Sequence, residues 1–240
     1  MIQANRTEDV MKTMGMIGGM SWESSLEYYR IVNEAIKEKL GGFHSAKCIL
    51  YSVDFEEVEK LQHLGDWDEL TRLMMVAAQR LESAGADFVI ICTNTMHKMA
   101  DEVQGAIRIP VLHIVDVTAE AIKGNGQTRV GLLGTKFTME QDFYKGRLKD
   151  KHGLDVLIPS ADERQVVHDI LYSELCLGEI KELSKEKFKS VIQNLIDRGA
   201  QGVILGCTEI PLIVSQDDYE IPVYDTTTLH AQAAVDFALQ

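Results

Sequence analysis

The residues of this sequence best placed to do chemistry lie in two matched stretches. Gly199-Ala200-Gln201-Gly202-Val203-Ile204-Leu205-Gly206-Cys207-Thr208-Glu209 reads as a helix end, a short apolar strand and a thiol delivered onto the loop beyond it. Gly85-Ala86-Asp87-Phe88-Val89-Ile90-Ile91-Cys92-Thr93-Asn94-Thr95 repeats that order. Setting Gly85 against Gly199 gives an offset of 114 (199 − 85). That offset places Cys207 opposite Thr93 and leaves the more conspicuous thiol, Cys92, opposite Gly206. Two matched strand ends, one with a thiol and one with a hydroxyl, suit a chemistry that meets its substrate from two sides. A thiol acts as base or nucleophile in its thiolate form, and an ordinary pKa of about 8.5 needs only modest lowering to serve. Cys207 precedes a turn or helix start, a position that favours an anion; the bland alternative is a small buried apolar side chain. Thr93-Asn94-Thr95 can orient a carboxylate and an amino group, or simply close an Asx or Ser/Thr turn. Successive strand residues point to opposite faces, so with Thr93 toward a site Cys92 is expected in the packing behind it.

The surrounding elements recur in the same order. Met14 to Ile17 is a short apolar strand closed by Gly18-Gly19, with Ser21 as N-cap of the helix that follows. Its glycine turn either offers backbone N–H groups to an anion or is a plain strand-to-helix turn; it is not the GxGxxG of a dinucleotide site. Leu26 to Leu40 is an amphipathic helix, Lys47 to Val53 a strand, Asp54 to Gln62 a helix or lid-like connection, and Trp67 to Ala84 a helix. After the strand Phe88 to Cys92, a helix runs from Met96 to Gly105 and a short strand through Ile109-Pro110-Val111-Leu112-His113. Thr128 to Thr135 echoes the first strand and Phe137 to Lys149 is a helix. Asp155 to Ile158 is a strand, and Ala161 to Leu177 and Ser184 to Arg198 are helices. Ile221-Pro222-Val223-Tyr224-Asp225 matches the earlier Ile-Pro strand before a helix from Thr227 to Leu239. Strands alternating with helices of this length imply parallel sheets covered on both faces. The long period implies a duplicated domain, with a first α/β lobe of residues 11–113 plus 226–240 and a second of 114–225. Ligands of such folds bind beyond the carboxyl ends of the strands, where both key loops lie. His97, His113 and Asp225 stand near those ends, each able to orient a catalytic group or to make structural hydrogen bonds.

Composition narrows the function classes. The 240 residues are 45% hydrophobic, enough for a real core, and carry a net charge of −13. That charge argues against nucleic acid or an anionic membrane as partner. Cys48, Cys92, Cys176 and Cys207 form no CxxC pair and no zinc-spaced cluster with histidine, so neither a disulfide framework nor a structural metal is expected. No signal peptide or apolar span is evident and the cytoplasm is the expected location. Met1 to Val10 is polar and reads as a disordered leader.

The segments Met14-Gly15-Met16-Ile17-Gly18-Gly19-Met20-Ser21, Cys92-Thr93-Asn94-Thr95-Met96-His97 and Gly206-Cys207-Thr208-Glu209, with Asp162-Glu163-Arg164 between, resemble the cofactor-independent aspartate/glutamate racemase family. The similarity spans the chain from Met11 on. Gly-Cys-Thr-Glu looks more like the aspartate racemase branch than the cell-wall glutamate racemases, which carry His after the Thr. The resemblance implies two similar α/β lobes related by a pseudo-twofold axis, with the active site between them. It implies racemisation of aspartate or glutamate by two groups that exchange the α-proton from opposite faces, with no pyridoxal phosphate, other cofactor or metal. A homodimer is expected by the same analogy. Carried onto this sequence, the catalytic pair is Thr93 and Cys207. The substrate-binding set is Met20, Gln62, Thr93, Asn94, Thr95, Thr135, Thr208 and Glu209.

Two departures from the family pattern matter. The residue before the Asn is usually Cys and here is Thr93, a far weaker acid, which predicts unequal rates for the two enantiomers. Aspartate racemases also tend to place basic residues after the second strand and in the helix before the GxL turn. Here those segments read Asp54-Phe55-Glu56-Glu57-Val58 and Ser173-Glu174-Leu175-Cys176-Leu177, without the basic pair. The alternatives are a one-thiol decarboxylase, a maleate-type isomerase of the same superfamily, or a paralogue that binds a dicarboxylate without turning it over.

Overall fold

The computed structural model describes residues 11–240; the leader expected at Met1 to Val10 lies outside the described residues. The first half runs β1 (Met14–Gly18), α1 (Trp22–Leu40), β2 (Cys48–Ser52), α2 (Phe55–Leu64), α3 (Trp67–Ser83) and β3 (Phe88–Ile91). A 3-10 turn (Thr95–Met99), α4 (Ala100–Ala106), β4 (Val111–Leu112) and α5 (Ile114–Gly124) follow. The second half runs β5 (Arg129–Gly134), α6 (Lys136–Glu140), α7 (Asp142–His152), β6 (Asp155–Leu157), α8 (Ala161–Ser173) and α9 (Glu182–Asp197). It closes with β7 (Val203–Gly206), β8 (Val223–Asp225) and α10 (Thr226–Ala238).

The strands form two parallel four-stranded sheets of identical order, β2-β1-β3-β4 and β6-β5-β7-β8. In the first sheet Ile17 lies beside Ile91, so one step further along the register sets Gly18 beside Cys92. In the second, Gly134 lies beside Gly206. Gly18 and Gly134, and Cys92 and Gly206, are therefore equivalent, and Thr93 and Cys207 each stand one residue beyond.

Side-chain alternation distributes the core over both faces of each sheet. Phe88, Ile90 and Cys92 pack with Met14 and Met16 under Tyr28, Val32 and Ile36 of α1. Val89 and Ile91 pack with Ile17 under Leu70, Met74 and Leu81 of α3. In the second sheet Val203 and Leu205 face Val167, Leu171, Phe188 and Leu195 of α8 and α9, with Cys207 at the edge of that cluster. Ile204 shares the other face with Val130 and Leu132.

The last helix of each half lies on the other half's sheet. Ile114, Val115, Ala119 and Ile122 of α5, which follows β4 of the first sheet, pack on Val130 and Leu132 of the second. Ala231, Ala234 and Val235 of α10, which follows β8 of the second sheet, pack on the Met14, Met16 and Tyr28 face of the first. The two helices also lie against each other. Their N-caps are His113 and Asp225, whose side chains accept from the first-turn N–H groups of Val115 and of Thr227 and Thr228. The repeat partners His113 and Asp225 thus do the same structural work.

Several element boundaries differ from the sequence reading. The helix expected over Phe137 to Lys149 is broken at Gln141, whose backbone is extended. The helix expected over Ala161 to Leu177 ends at Ser173 and continues as a separate 3-10 turn, Leu175–Leu177. The helix expected from Met96 begins as a 3-10 turn at Thr95. At the first break Gln141 accepts from Lys98 Nζ of the other half, and at the second Glu174 accepts from Ser184 Oγ. No described helix is long and apolar enough to cross a membrane.

Candidate active site

The carboxyl ends of β1, β3, β5 and β7 meet around a cleft between the lobes. Met20, Gln62, Thr93, Asn94, Thr95, Thr135, Cys207, Thr208 and Glu209, all nine residues named from sequence, line it. Phe55, Tyr172, Cys176 and Gly206 complete the wall. Phe55 and Cys176 lie in the Asp54 to Val58 and Ser173 to Leu177 segments, and Tyr172 just before the second; no local signal marks these neutral side chains as cleft residues. Those regions do supply walls, but with neutral side chains.

Close approach of backbones shapes both loops. Gly19 sits at φ +88°, and a Cβ there would stand 2.3 Å from the Val53 carbonyl oxygen. At Gly206 a Cβ would meet the Leu133 carbonyl oxygen at 2.7 Å, so β7 can lie against β5 only with glycine at this point. Cys92, the equivalent of Gly206, has room for its side chain within the first sheet's core, where it is fully buried. Burial pushes its thiol well above the ordinary range, with Cys48 adding to the effect. Cys92 is not among the residues that line the cleft.

Cys207 donates its thiol proton to Glu209 Oε2 at 2.9 Å. The same oxygen accepts from Thr208 Oγ1 at 2.7 Å, and Glu209 Oε1 accepts from Ser24 Oγ at 3.0 Å and Ser21 Oγ at 3.2 Å. Ser24 Oγ and Thr208 Oγ1 lie 2.5 Å apart. Ser21 caps α1 by accepting from the Ser24 N–H at 3.4 Å, as the sequence implied, and also reaches across the cleft to Glu209, which it did not. This arrangement corrects the expectation that the strand end favours a thiolate. Burial first, then the Glu209 carboxylate, pushes the Cys207 thiol well above its ordinary value. The resting group is a thiol poised to donate, and Glu209 is the acceptor for its proton.

On the facing loop Asn94 Nδ2 donates to Thr226 Oγ1 at 3.0 Å, and Thr226 in turn donates to the Leu205 carbonyl at 2.8 Å. With its nitrogen committed, Asn94 Oδ1 is buried and without a hydrogen-bond partner among the described residues. An orphaned acceptor in the wall of a cleft is a place for a ligand's N–H. Thr95 Oγ1 lies 3.2 Å from Thr135 Oγ1 and 3.4 Å from Thr138 Oγ1, making a hydroxyl cluster contributed by both lobes. Gln62 Nε2 reaches Met96 Sδ, while Gln62 Oε1 accepts from Tyr172 Oη at 3.4 Å across the mouth. His63 and Tyr172, and beyond them Trp67 and Phe137, meet edge to face across the same gap, which draws α2 and α3 against α6 and α8.

Among the described residues no lysine, arginine or histidine lines the cleft, and Glu209 is its one carboxylate. Among the described residues no group of three or more His, Cys, Asp or Glu has the arrangement to hold a metal ion. His97, which could have polarised a thiol, stands behind the loop rather than in the cleft and donates from Nδ1 to the Thr93 carbonyl at 2.8 Å. Chemically the site offers a thiol with its own acceptor on one loop, a hydroxyl on the matched loop, and hydrogen-bonding groups between them.

Comparison with known proteins agrees with the two-lobed α/β fold. The model of the Asp/Glu/hydantoin racemase family matches residues 17–234. The broad specificity amino-acid racemase RacX of Bacillus subtilis (strain 168) is 27% identical over 170 residues, covering 71% of this chain and 73% of that protein. A crystal structure from Yersinia pestis, described as that of a candidate Asp/Glu racemase, superposes with a TM-score of 0.91 at 53% identity, covering 96% of this chain and all of the other. An aspartate racemase homologue from Pyrococcus horikoshii OT3 gives a TM-score of 0.84 at 35% identity, again covering 96% of this chain and all of the other.

Proposed function

Because the chain belongs to the Asp/Glu/hydantoin racemase family, a family of isomerases, we propose that its interlobe cleft racemises a free amino acid, aspartate or glutamate. In this reading Cys207 and Thr93 exchange the α-proton on opposite faces of Cα. The observation that carries it is that Cys207 and Thr93, at the matched ends of β7 and β3, line one cleft. A planar α-carbanion must be met from both sides to change hand, and groups held in place on each side stabilise that transition state rather than the bound substrate.

The substrate ammonium donates to the unpartnered Asn94 Oδ1, and its α-carboxylate accepts from the hydroxyls of Thr95 and Thr135. For abstraction by Cys207 the thiol first loses its proton, relayed by Glu209 Oε2 to solvent, and the thiolate then takes the α-proton. The carbanion is quenched from the other face by the Thr93 hydroxyl. In the reverse direction the threonine is a poor base, so the two enantiomers react at unequal rates. The residues present supply this chemistry without pyridoxal phosphate. A homodimer is part of the same reading: Trp22, Leu26 and Tyr29 form an exposed apolar stripe on α1, which light scattering would show paired as twice the chain mass.

Proton NMR in deuterated water, with both enantiomers of aspartate and glutamate, tests the reading. Exchange at Cα should disappear in Cys207→Ala, persist with retention but lose inversion in Thr93→Ala, and survive in Cys92→Ala. Loss in Cys92→Ala with survival in Cys207→Ala would sink the assignment. Decarboxylation or alkene isomerisation in place of exchange would select a one-thiol alternative, and tight binding with no exchange a silent dicarboxylate-binding paralogue.

One observation favours a second reading of the substrate. Among the described residues a side-chain carboxylate in this cleft meets only neutral donors and one carboxylate, and burying a charge without a counter-ion is costly. Neutral side chains escape that cost. Higher kcat/KM for asparagine and glutamine than for aspartate and glutamate would establish this second reading; the opposite order would establish the first.

A further inference from the structure

His97 is one of a buried set of imidazoles, 4.7 Å from the His113 ring and 5.6 Å from the His230 ring. Only 2% of it is exposed. Its Nε2 receives the backbone N–H of Ile114 at 3.2 Å, and its Nδ1 lies 2.8 Å from the Thr93 carbonyl. A backbone N–H can only donate, so Nε2 carries a lone pair and the ring hydrogen is on Nδ1, donated to Thr93. Burial, with His113 and His230 adding to it, holds this imidazole well below its ordinary pKa and hence neutral, which fixes the tautomer. Both ring nitrogens are then committed to backbone.

The Ile114 N–H is one of the orphan donors at the N-terminus of α5, and His113 takes the next, from Val115. His97 therefore ties the backbone of Thr93 to the start of the helix that lies on the second sheet. Thr95 and Asn94, the loop's other polar residues, are held by groups on the far side of the cleft or on α10. The Thr93 carbonyl has His97 as its side-chain anchor.

We propose that His97 is the positioning residue for Thr93: by donating from Nδ1 to the Thr93 carbonyl, it keeps the Thr93 hydroxyl on the substrate face opposite Cys207. The proposal rests on the reading of Thr93 and Cys207 as the two acid/base groups. A displacement of the hydroxyl of about 1 Å is enough to cost about a hundredfold in the step that uses it, without weakening substrate binding to the same degree.

The test separates the two faces. In deuterated water, return of deuterium from Cys207 gives exchange with retention, whereas delivery from Thr93 gives inversion, and chiral chromatography with mass detection reads both. His97→Asn places an amide N–H where Nδ1 stands and keeps the Thr93 bond. His97→Gln places an acceptor where Nε2 stands and keeps the Ile114 bond. The expected result is that His97→Gln lowers inversion at least tenfold relative to exchange with retention, with KM within about twofold of wild type. His97→Asn should keep the wild-type ratio. Equal losses of inversion and exchange in both variants would overturn the positioning role in favour of a purely structural one, as would inversion retained in His97→Gln. Inversion unaffected by Thr93→Ala would overturn the underlying assignment instead, and the proposal with it. Near-ultraviolet circular dichroism of each variant, matched to wild type, confirms that the comparison is made on folded protein.

Discussion

At Cys207 burial and the Glu209 carboxylate act in the same direction, keeping the proton on sulfur. The enantiomer that Cys207 deprotonates should therefore show kcat/KM rising with pH through the alkaline range, without a plateau below about pH 9. Removing the carboxylate in Glu209→Gln lowers the thiol pKa and should shift that limb to lower pH, while burial, the larger cause, keeps it above an ordinary thiol. A limb that stays put would mean that Glu209 does not interact with the thiol. On the facing loop, Thr93→Cys supplies a second acid of ordinary strength. It should raise kcat/KM of the slower enantiomer by about tenfold or more and bring the two rates together. The equivalence of Thr93 and Cys207 was legible in the sequence because a repeat keeps its register through identical Gly-Ala helix ends. The hold on Glu209 was not. Ser21 and Ser24 are 188 and 185 residues away in the chain, and nothing local distinguishes a capping serine from one that also reaches across a cleft.

Among the elements, β7 shows how a strand end is made exact by what it lacks. Gly206→Ala would drive a methyl group to within 2.7 Å of the Leu133 carbonyl oxygen and 3.1 Å of Thr138. The expected cost is about 1–3 kcal/mol, read as a fall in Tm of about 5 °C for a chain of this size, with activity falling further because Cys207 is the next residue. A Tm equal to wild type would show that β5 and β7 can separate locally. Periodicity and glycine signals placed nearly every strand and helix, since a helix end at Gly and an apolar run are local features. They missed the breaks at Gln141 and at Glu174, whose backbones leave the helical region. Gln141 is held from the other lobe by Lys98, a contact that no window of sequence contains.

For the molecule as a whole, three neutral imidazoles lie together where α5 and α10 begin. Burial is the first cause in each case: His113 is lowered to about 3, His230 to about 4, and His97 well below the ordinary value. In the unfolded chain each takes up a proton near pH 6.5. A folded-state pKa below the unfolded one means stability that is fully present above pH 6.5 and is lost as pH falls toward 4. Urea unfolding at pH 7, 6 and 5 should show this decline, and His230→Gln should flatten it; a profile level down to pH 5 would contradict the burial of these rings. The duplication and parallel sheets were readable from the repeat, and the division into residues 11–113 plus 226–240 and 114–225 is the one we propose for the lobes. The crossing of the two final helices has a consequence for heredity as well as for folding. A single ancestral half, with its last helix offered to a neighbour, is complete only as a pair of identical chains. Severing the present chain in the turn at Asn125-Gly126, between α5 and β5, should recreate that condition. Two separately produced fragments are expected to stay unfolded alone, each missing one helix of its core, and to regain activity when mixed.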